Sequence, residues 1–223
     1  MAASSSDERP LDSRPLDGRP LDERSRVRAL LVPVVVAVLL AVLVRTFLVE
    51  AFWIPSVSMQ PTLEVGDRVV VDKLLTGTRS PRRGEVVVFQ GRGEFAGDPV
   101  DKHYVKRVIA VAGDRVACCA DGRVTVQRAG TDRAVPLDEP YLFGDEQAAF
   151  CEGGPDVACP PGAPGVLVPE GRVWVMGDHR GRSADSRANR DRGDGTVGVD
   201  QVLGRAVVVV WPRTRVGVLR RPE

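Results

Sequence analysis

The chain has 223 residues, 43% of them hydrophobic and 27% charged, with 31 Lys+Arg against 30 Asp+Glu and a formal net charge of +1. That length and composition support one buried core, with at most a small subdomain. The balanced charge excludes the basic footprint of a nucleic-acid binder, so no nucleic-acid partner is expected.

Residues 1–28 contain "RPLDS RPLDG RPLDE", which repeats every five residues and alternates Arg with Asp around Pro. Such a segment blocks helix and offers no apolar face, so it reads as a disordered tail. The uncharged run "ALLVPVVVAVLLAVLV", Ala29 to Val44, follows. Sixteen residues make roughly 24 Å of helix, and a bilayer core needs about 30 Å. Extension to Val27 on one side and Val49 on the other, with Arg28 and Arg45 reaching toward the two interfaces, makes up the shortfall. No small-residue cleavage site follows the run, and it is apolar on all faces, so residues 29–49 are expected to be an uncleaved transmembrane signal anchor. Arg24, Arg26 and Arg28 crowd its N-terminal flank. They predict a single-pass topology in the cell membrane with a cytoplasmic N-terminus and an extracytoplasmic remainder, and with Phe47, Phe52 and Trp53 at the level of an aromatic belt.

Residues 50–212 read as β-rich. The runs "DRVVVDK", "GEVVVFQ", "HYVKRVIAV", "GRVTVQ", "GRVWVMGD" and "GRAVVVVWP" are rich in β-branched residues and most are bounded by Gly, Asp or Pro. Unalternating runs such as "VVVV" predict strands buried on both faces. Residues 129–169, rich in Pro, Gly and acids, read as a loop-rich insert or subdomain rather than core. Residues 213–223 read as a short tail, too short and too charged for a second anchor. Cys118 and Cys119 are adjacent, while Cys151 and Cys159 bracket a short local loop; a Cys151–Cys159 bridge suits an oxidising compartment, although four cysteines allow three connectivities. The usual zinc-ligand pairs are missing, so no metal is expected.

Three stretches carry possible chemistry. In "IPSVSMQPTLEVGD", Ser56 and Ser58 lie one residue apart between Pro55 and Pro61. A serine hydroxyl is a poor nucleophile until a base takes its proton, so either serine matters only if such a base is at hand. The two histidines, His103 and His179, are one source. The other is Lys106, in the middle of the strand-like "HYVKRVIAV", because an amine buried among apolar groups loses charge stabilisation and its pKa falls. The third stretch, "GDHRGRSADSR" from Gly177 to Arg187, follows a strand and is too polar and irregular for regular structure, so its polar groups must satisfy one another or a site.

Four blocks in order, "PSVSMQPTL", "GEVVVF", "YVKRVIAVAGD" and "GDHRGRSADSR", behind an N-terminal anchor, resemble the type I signal peptidases, membrane-anchored Ser/Lys endopeptidases of bacteria. The resemblance runs from the anchor to about Val210. It implies a mainly β fold, in which a single N-terminal transmembrane helix is followed by an exported antiparallel β-sheet or barrel-like catalytic domain. It implies Ser58 as nucleophile, Lys106 as general base, and Ser56 with the Ser58 backbone N–H as oxyanion donors. It further implies that Ser183 orients the lysine, that Asp185 and Arg187 form an ion pair supporting their loop, and that Gly177 leaves room beside the lysine. Phe52, Ile54, Met59, Leu63, Val88, Tyr104 and Val105 match apolar walls of shallow substrate pockets. No cofactor or metal is implied. The implied partners are exported pre-proteins with signal peptides, the lipid bilayer and a nearby secretion translocase. "AVAGD" and His179 depart from the pattern, and His179 is given no role. Two other readings share some of these features: a soluble Ser/Lys self-cleaving repressor-type protease, against which the anchor and the lack of a DNA-binding module argue, and an anchored β domain that binds partners, in which Ser58 and Lys106 never meet.

Overall fold

The structure, a computed structural model, describes residues 23–47, 49–73, 79–91, 102–120, 123–143, 165–190 and 193–222. The chain divides into two compact units, Met1–Val42 and Leu43–Glu223. Helix α1 (Glu23–Phe47), whose last five residues belong to the second unit, begins inside the segment expected to be a disordered tail and ends before Val49. Its run of Val, Leu and Ala lets it pass through Pro33, whose missing N–H removes one hydrogen bond. The apolar side chains described along it, from Val27 to Val42, are exposed on every face. Among the described residues, no helix is long and apolar enough to cross a membrane. The tail up to Asp22, Cys151, Cys159 and the side chains of Cys118 and Cys119 lie outside the described residues, and the expected disulfide lies there with them.

Beyond α1, the second unit is antiparallel β throughout. Its strands are β1 (Val49–Trp53), β2 (Arg68–Asp72), β3 (Val86–Gln90), β4 (His103–Val111), β5 (Arg115–Ala120), β6 (Arg123–Gln127), β7 (Ala134–Pro136), β8 (Val166–Leu167), β9 (Arg172–Met176), β10 (Val197–Gly198), β11 (Val202–Trp211) and β12 (Gly217–Val218). The larger sheet has the order β1-β2-β11-β3-β4-β9-β10, with β12 added to β11; the smaller has the order β7-β6-β5-β8. The larger sheet is open rather than a closed barrel, since no pairing among the described residues joins β1 to β10.

Alternation along β3 explains why the larger sheet is buried on both sides. Val86 and Val88 enter one core with Ile54, Met59, Leu63, Val69 and Val71, while Val87 and Phe89 enter another with Val108, Val173 and Val175. A third core, around Trp174, Ile109, Val116 and Val126, joins the end of β4 to the smaller sheet. The chain turns from β4 into β5 at Gly113 (φ +82°), beside the buried Asp114. The Asp114 carboxylate accepts the N–H groups of Val111 and Ala129, at 3.0 and 3.1 Å, and an Arg83 bond at 2.6 Å. "AVAGD" is therefore a junction that satisfies itself.

Three expectations are corrected. The "VVVV" of β11 is not buried on both faces: Val210 and Trp211 are exposed, because this end of the strand has only partial cover beyond β2 and β12. The segment read as a loop-rich insert contributes β7 and β8 to the smaller sheet, and its Glu139 is buried. Residues 213–222 are no loose tail, since β12 pairs with β11, Leu219 packs on a core, and Arg215 bonds Asp67 at 3.0 Å.

Gly204 lies where β11 passes between β2 and β3, and a Cβ there would sit 2.5 Å from Val71 Cγ1 and 2.6 Å from the Asp72 carbonyl oxygen. We expect Gly204→Ala to force the strands apart and destabilise the fold by about 1–3 kcal/mol. Denaturant unfolding measures this, and a midpoint equal to that of the wild type would show that the sheet yields without cost.

Candidate active site

The loop from Pro55 to Gly66 is closed at its neck. Ile54 N–H donates to Asp67 O and Gly66 N–H to Ile54 O, each at 2.9 Å. The buried Asp67 carboxylate accepts Glu64 N–H at 2.9 Å and is tied to Arg215. Within the loop, Met59 and Leu63 are anchored in the core and joined by a 2.9 Å backbone bond. They fix a short 3-10 turn, Val57–Met59, which turns the Ser58 hydroxyl inward. Ser58 is 7% exposed.

Lys106 and Arg107 are consecutive in β4, so their side chains leave opposite faces, yet both are buried. Lys106 Nζ donates to Ser58 Oγ at 2.7 Å, and Ser56 Oγ lies 3.2 Å from Ser58 Oγ. Burial is the main reason that the Lys106 pKa falls from 10.5 to about 8; Asp185 and Asp178 oppose the fall, and Arg187 assists it. Neither histidine bonds the Ser58 hydroxyl. His103 packs edge-on against Phe52, and His179 stacks on Phe143 with ring centroids 4.7 Å apart.

On the other face, Arg107 grips Asp178 with two bonds, Nε to Oδ1 at 2.8 Å and Nη2 to Oδ2 at 2.6 Å. It also donates to Gly84 O at 2.8 Å and lies 3.9 Å from the centre of the Tyr141 ring. Thr62 Oγ1 donates to Asp178 at 2.5 Å, and His179 N–H to Ser58 O at 3.2 Å, so the serine loop and the Gly177–Arg187 loop hold each other.

The Asp185–Arg187 pair is present, with both bonds at 2.8 Å, and Asp185 also accepts Gly177 N–H at 3.0 Å. Burial alone would raise the Asp185 pKa, but the Arg187 charge and these bonds outweigh it and hold the carboxyl below its ordinary value. A Cβ on Gly177 would overlap the Ser183 hydroxyl and the Ser58 carbonyl oxygen. The missing side chain therefore makes room for those two groups, one of which belongs to the serine that Lys106 contacts. Ser183 is brought into the site: its buried hydroxyl makes no well-formed hydrogen bond among the described residues, Lys106 included, but it lies near enough to Asp185 to help hold that carboxyl below its ordinary value.

Of the seven expected pocket residues, Ile54, Met59, Leu63 and Val88 have 2% exposure or less and belong to the core. In this structure they underlie the accessible surface rather than form it. Phe52, Tyr104 and Val105 keep accessible surface. The sequence reading passed over Arg107, Asp178, Thr62 and the buried Arg180–Glu139 ion pair. A signal for Arg107 was available, because two adjacent cations within an apolar strand cannot both face solvent.

A family model described as signal peptidase, peptidase S26, matches residues 27–211. The chain belongs to that family. The signal peptidase I of Mycobacterium tuberculosis is 39% identical over 240 residues, covering 88% of this chain and 76% of that one. The signal peptidase I of Bacillus licheniformis is 35% identical, covering 80% and 86%. A solved structure of a signal peptidase I from Enterococcus faecalis is a looser likeness, at 23% identity and a TM-score of 0.36, covering 57% of this chain and 97% of that one. The matched family segment contains every residue described around Ser58 and Lys106 except Arg215.

The electrostatics of Asp185 set a stability limit. Its folded pKa is depressed, so its contribution is fully present above the unfolded value of about 3.9 and is lost as pH falls from there through the folded value. We expect Asp185→Asn to lower stability at pH 7 and to flatten the acid limb of the stability profile, as read by thermal unfolding from pH 7 to pH 3. An unchanged acid limb would assign that slope to other carboxylates.

Proposed function

We propose that this chain is a membrane-anchored signal peptidase I that removes N-terminal signal peptides from exported pre-proteins through a Ser58/Lys106 acyl-enzyme mechanism. The observation that carries the reading is the 2.7 Å contact between Ser58 Oγ and a buried Lys106 whose pKa is about 8. Family membership, with relatives named signal peptidase I, supplies the substrate class.

A neutral Lys106 takes the Ser58 proton as Oγ attacks the carbonyl carbon of the scissile bond. The negative charge that develops on the carbonyl oxygen is met by the Ser58 N–H and the Ser56 hydroxyl. The protonated lysine then gives its proton to the leaving amine, and the signal-peptide half stays esterified to Ser58. Water, deprotonated by the same lysine, cleaves the ester and restores the serine. Ser183 is the positioning residue in this scheme: a hydroxyl that turns its hydrogen toward Asp185 keeps its lone pairs to accept from the lysine when Lys106 becomes an ammonium and needs more than one acceptor. Phe52, Tyr104 and Val105 form the accessible pocket walls, and an extended substrate lies beside them as an added strand.

The anchor is α1. Apolar side chains exposed on every face from Val27 to Val42 suit lipid far better than water, and the flanking turns of the helix supply the length that this stretch lacks. With arginines before it, this reading puts the N-terminus in the cytoplasm and residues from Glu50 onward outside, near the translocase. Anchoring converts an encounter with a membrane-tethered pre-protein into a search in two dimensions at high effective concentration.

Ser58→Ala and Lys106→Ala are each expected to abolish cleavage of a purified pre-protein while leaving the fold intact, because nucleophile and base act as one unit. Ser56→Ala should cost roughly ten- to a thousandfold, the scale of a single oxyanion donor. Because the lysine works as a free base, kcat/KM should rise with pH and reach half its plateau near the Lys106 pKa of about 8. A profile that is flat from pH 6 to 9, or normal turnover by Lys106→Ala, would show the base to be misassigned.

Removal of residues 1–47, which spares β1, should leave an enzyme that cleaves soluble peptides normally but membrane-tethered pre-protein poorly. Equal losses on both substrates would mean that α1 supports the fold rather than proximity.

A further inference from the structure

A cavity of about 370 Å³ opens beside β4, and four arginines line it: Arg82, Arg83, Arg128 and Arg221. A single carboxylate, Asp138, is in the lining. Arg83 is neutralised by Asp114, but no carboxylate among the described residues pairs with the guanidinium of Arg82, Arg128 or Arg221. The arrangement is built rather than incidental, because the C-terminal segment is seated to bring Arg221 to the rim. Gly84 has φ +80° and lacks a side chain, and a Cβ there would come 2.8 Å from Arg221 Cγ and 3.2 Å from Pro222 O. Ile109, Leu137 and the Tyr141 ring give the cavity an apolar floor.

Arg82, Arg128 and Arg221 are exposed, so solvent screens their mutual repulsion, and a bound anion gains from their combined positive charge at the mouth of the concavity. A carboxylate has two oxygens, which one guanidinium fork can saturate. A phosphoryl group has three or more acceptors in a tetrahedral array and takes forks from several directions at once. We propose that this cavity is a binding site for a phosphoryl anion, either a free phosphate or the phosphodiester of a lipid headgroup, with any apolar portion lying on the Ile109–Leu137–Tyr141 floor. The site is distinct from the Ser58–Lys106 pair but adjoins its support. Tyr141 and Gly84 line the cavity, and they are the groups that Arg107 covers and to which it donates. The proposal does not depend on the peptidase reading.

The test is calorimetric titration of the full chain in neutral detergent, at fixed ionic strength so that screening is constant. Inorganic phosphate is one probe and a short-chain phosphatidylglycerol the other. Saturable binding is expected. It should weaken by about tenfold for each guanidinium removed, in Arg128→Gln and in Arg221→Gln, the scale of one charge-assisted hydrogen bond. Arg213→Gln, outside the lining, should leave it unchanged. Arg82→Gln repeats the test without disturbing the C-terminal segment, and thermal unfolding verifies that each variant is folded. Tighter binding of the lipid identifies a headgroup site, and equal or tighter binding of inorganic phosphate identifies a soluble ligand. Absence of saturable binding of both probes, or binding that survives unchanged in the arginine variants, or equal weakening in Arg213→Gln, overturns the proposal.

Discussion

The structure around Ser58 is organised by the burial of one amine. Lys106 is 4% exposed, and burial draws its pKa down, but that effect survives only if nearby carboxylates do not restore the charge. Two acids, Asp185 and Asp178, are close enough to oppose the shift. Each is held by an arginine through two bonds, Asp185 by Arg187 and Asp178 by Arg107. The ion pairs thus do more than brace loops: they spend the negative charge locally, so that desolvation dominates at the lysine. Replacing either arginine would free a carboxylate beside Lys106 and pull its pKa back toward the ordinary range.

Burying so many charges is tolerable only when nearly every donor and acceptor is met. The network does this by drawing on distant parts of the chain. Glu139, from the segment after β7, forms a buried pair with Arg180 and accepts from the Tyr141 hydroxyl at 2.7 Å. Arg180 donates in turn to Gly177 O at 3.0 Å, and its own carbonyl accepts from Arg187 at 2.8 Å. Arg215, after β11, holds the neck of the serine loop. The loops that face Ser58 are therefore rigid because the smaller sheet and the last residues are folded onto them, and removing one member of such a buried pair costs about 3–5 kcal/mol.

The longer strands were legible because their pattern is local, whereas the contact between Ser58 and Lys106, 48 residues apart, was an expectation from the family resemblance. β-branched runs bounded by Gly and Asp mark β2, β3, β4, β6, β9 and β11 within a few residues, and a lysine inside "HYVKRVIAV" raises the question of a buried amine without settling it. The short strands β7, β8, β10 and β12 were not legible, because two or three residues carry no period and their pairing is decided by neighbours far along the chain. Glu139 was hidden for the same reason: an acid in a Pro- and Gly-rich stretch reads as solvated until Arg180 is placed against it. The pocket residues divide in the opposite sense, with Phe52, Tyr104 and Val105 accessible and the other four buried. Met59, Leu63 and Val88 suit an apolar wall by type, and residue type cannot separate a wall from the core beneath it.

Two protonation ladders with opposite sense bound the conditions in which this arrangement functions. Lys106 must lose its proton to serve as a base, so its work fades as pH falls below about 8. Asp185, Asp114 and Glu85 have pKa values below their ordinary ones despite burial, because Arg187, Arg83 and Arg79 respectively hold them ionised, so the stability they give is full above their unfolded values of about 4 and is lost as pH falls below that. Between these limits the fold is intact and the amine is increasingly charged. Loss of activity between pH 8 and 5 is then a titration within a folded protein and reverses on return to higher pH, whereas loss at a pH low enough to protonate the carboxylates takes the Gly177–Arg187 loop with it. The separation exists because the same burial acts on both kinds of group: it goes unopposed by a paired counter-charge at Lys106, whereas each carboxylate has a guanidinium bonded to it.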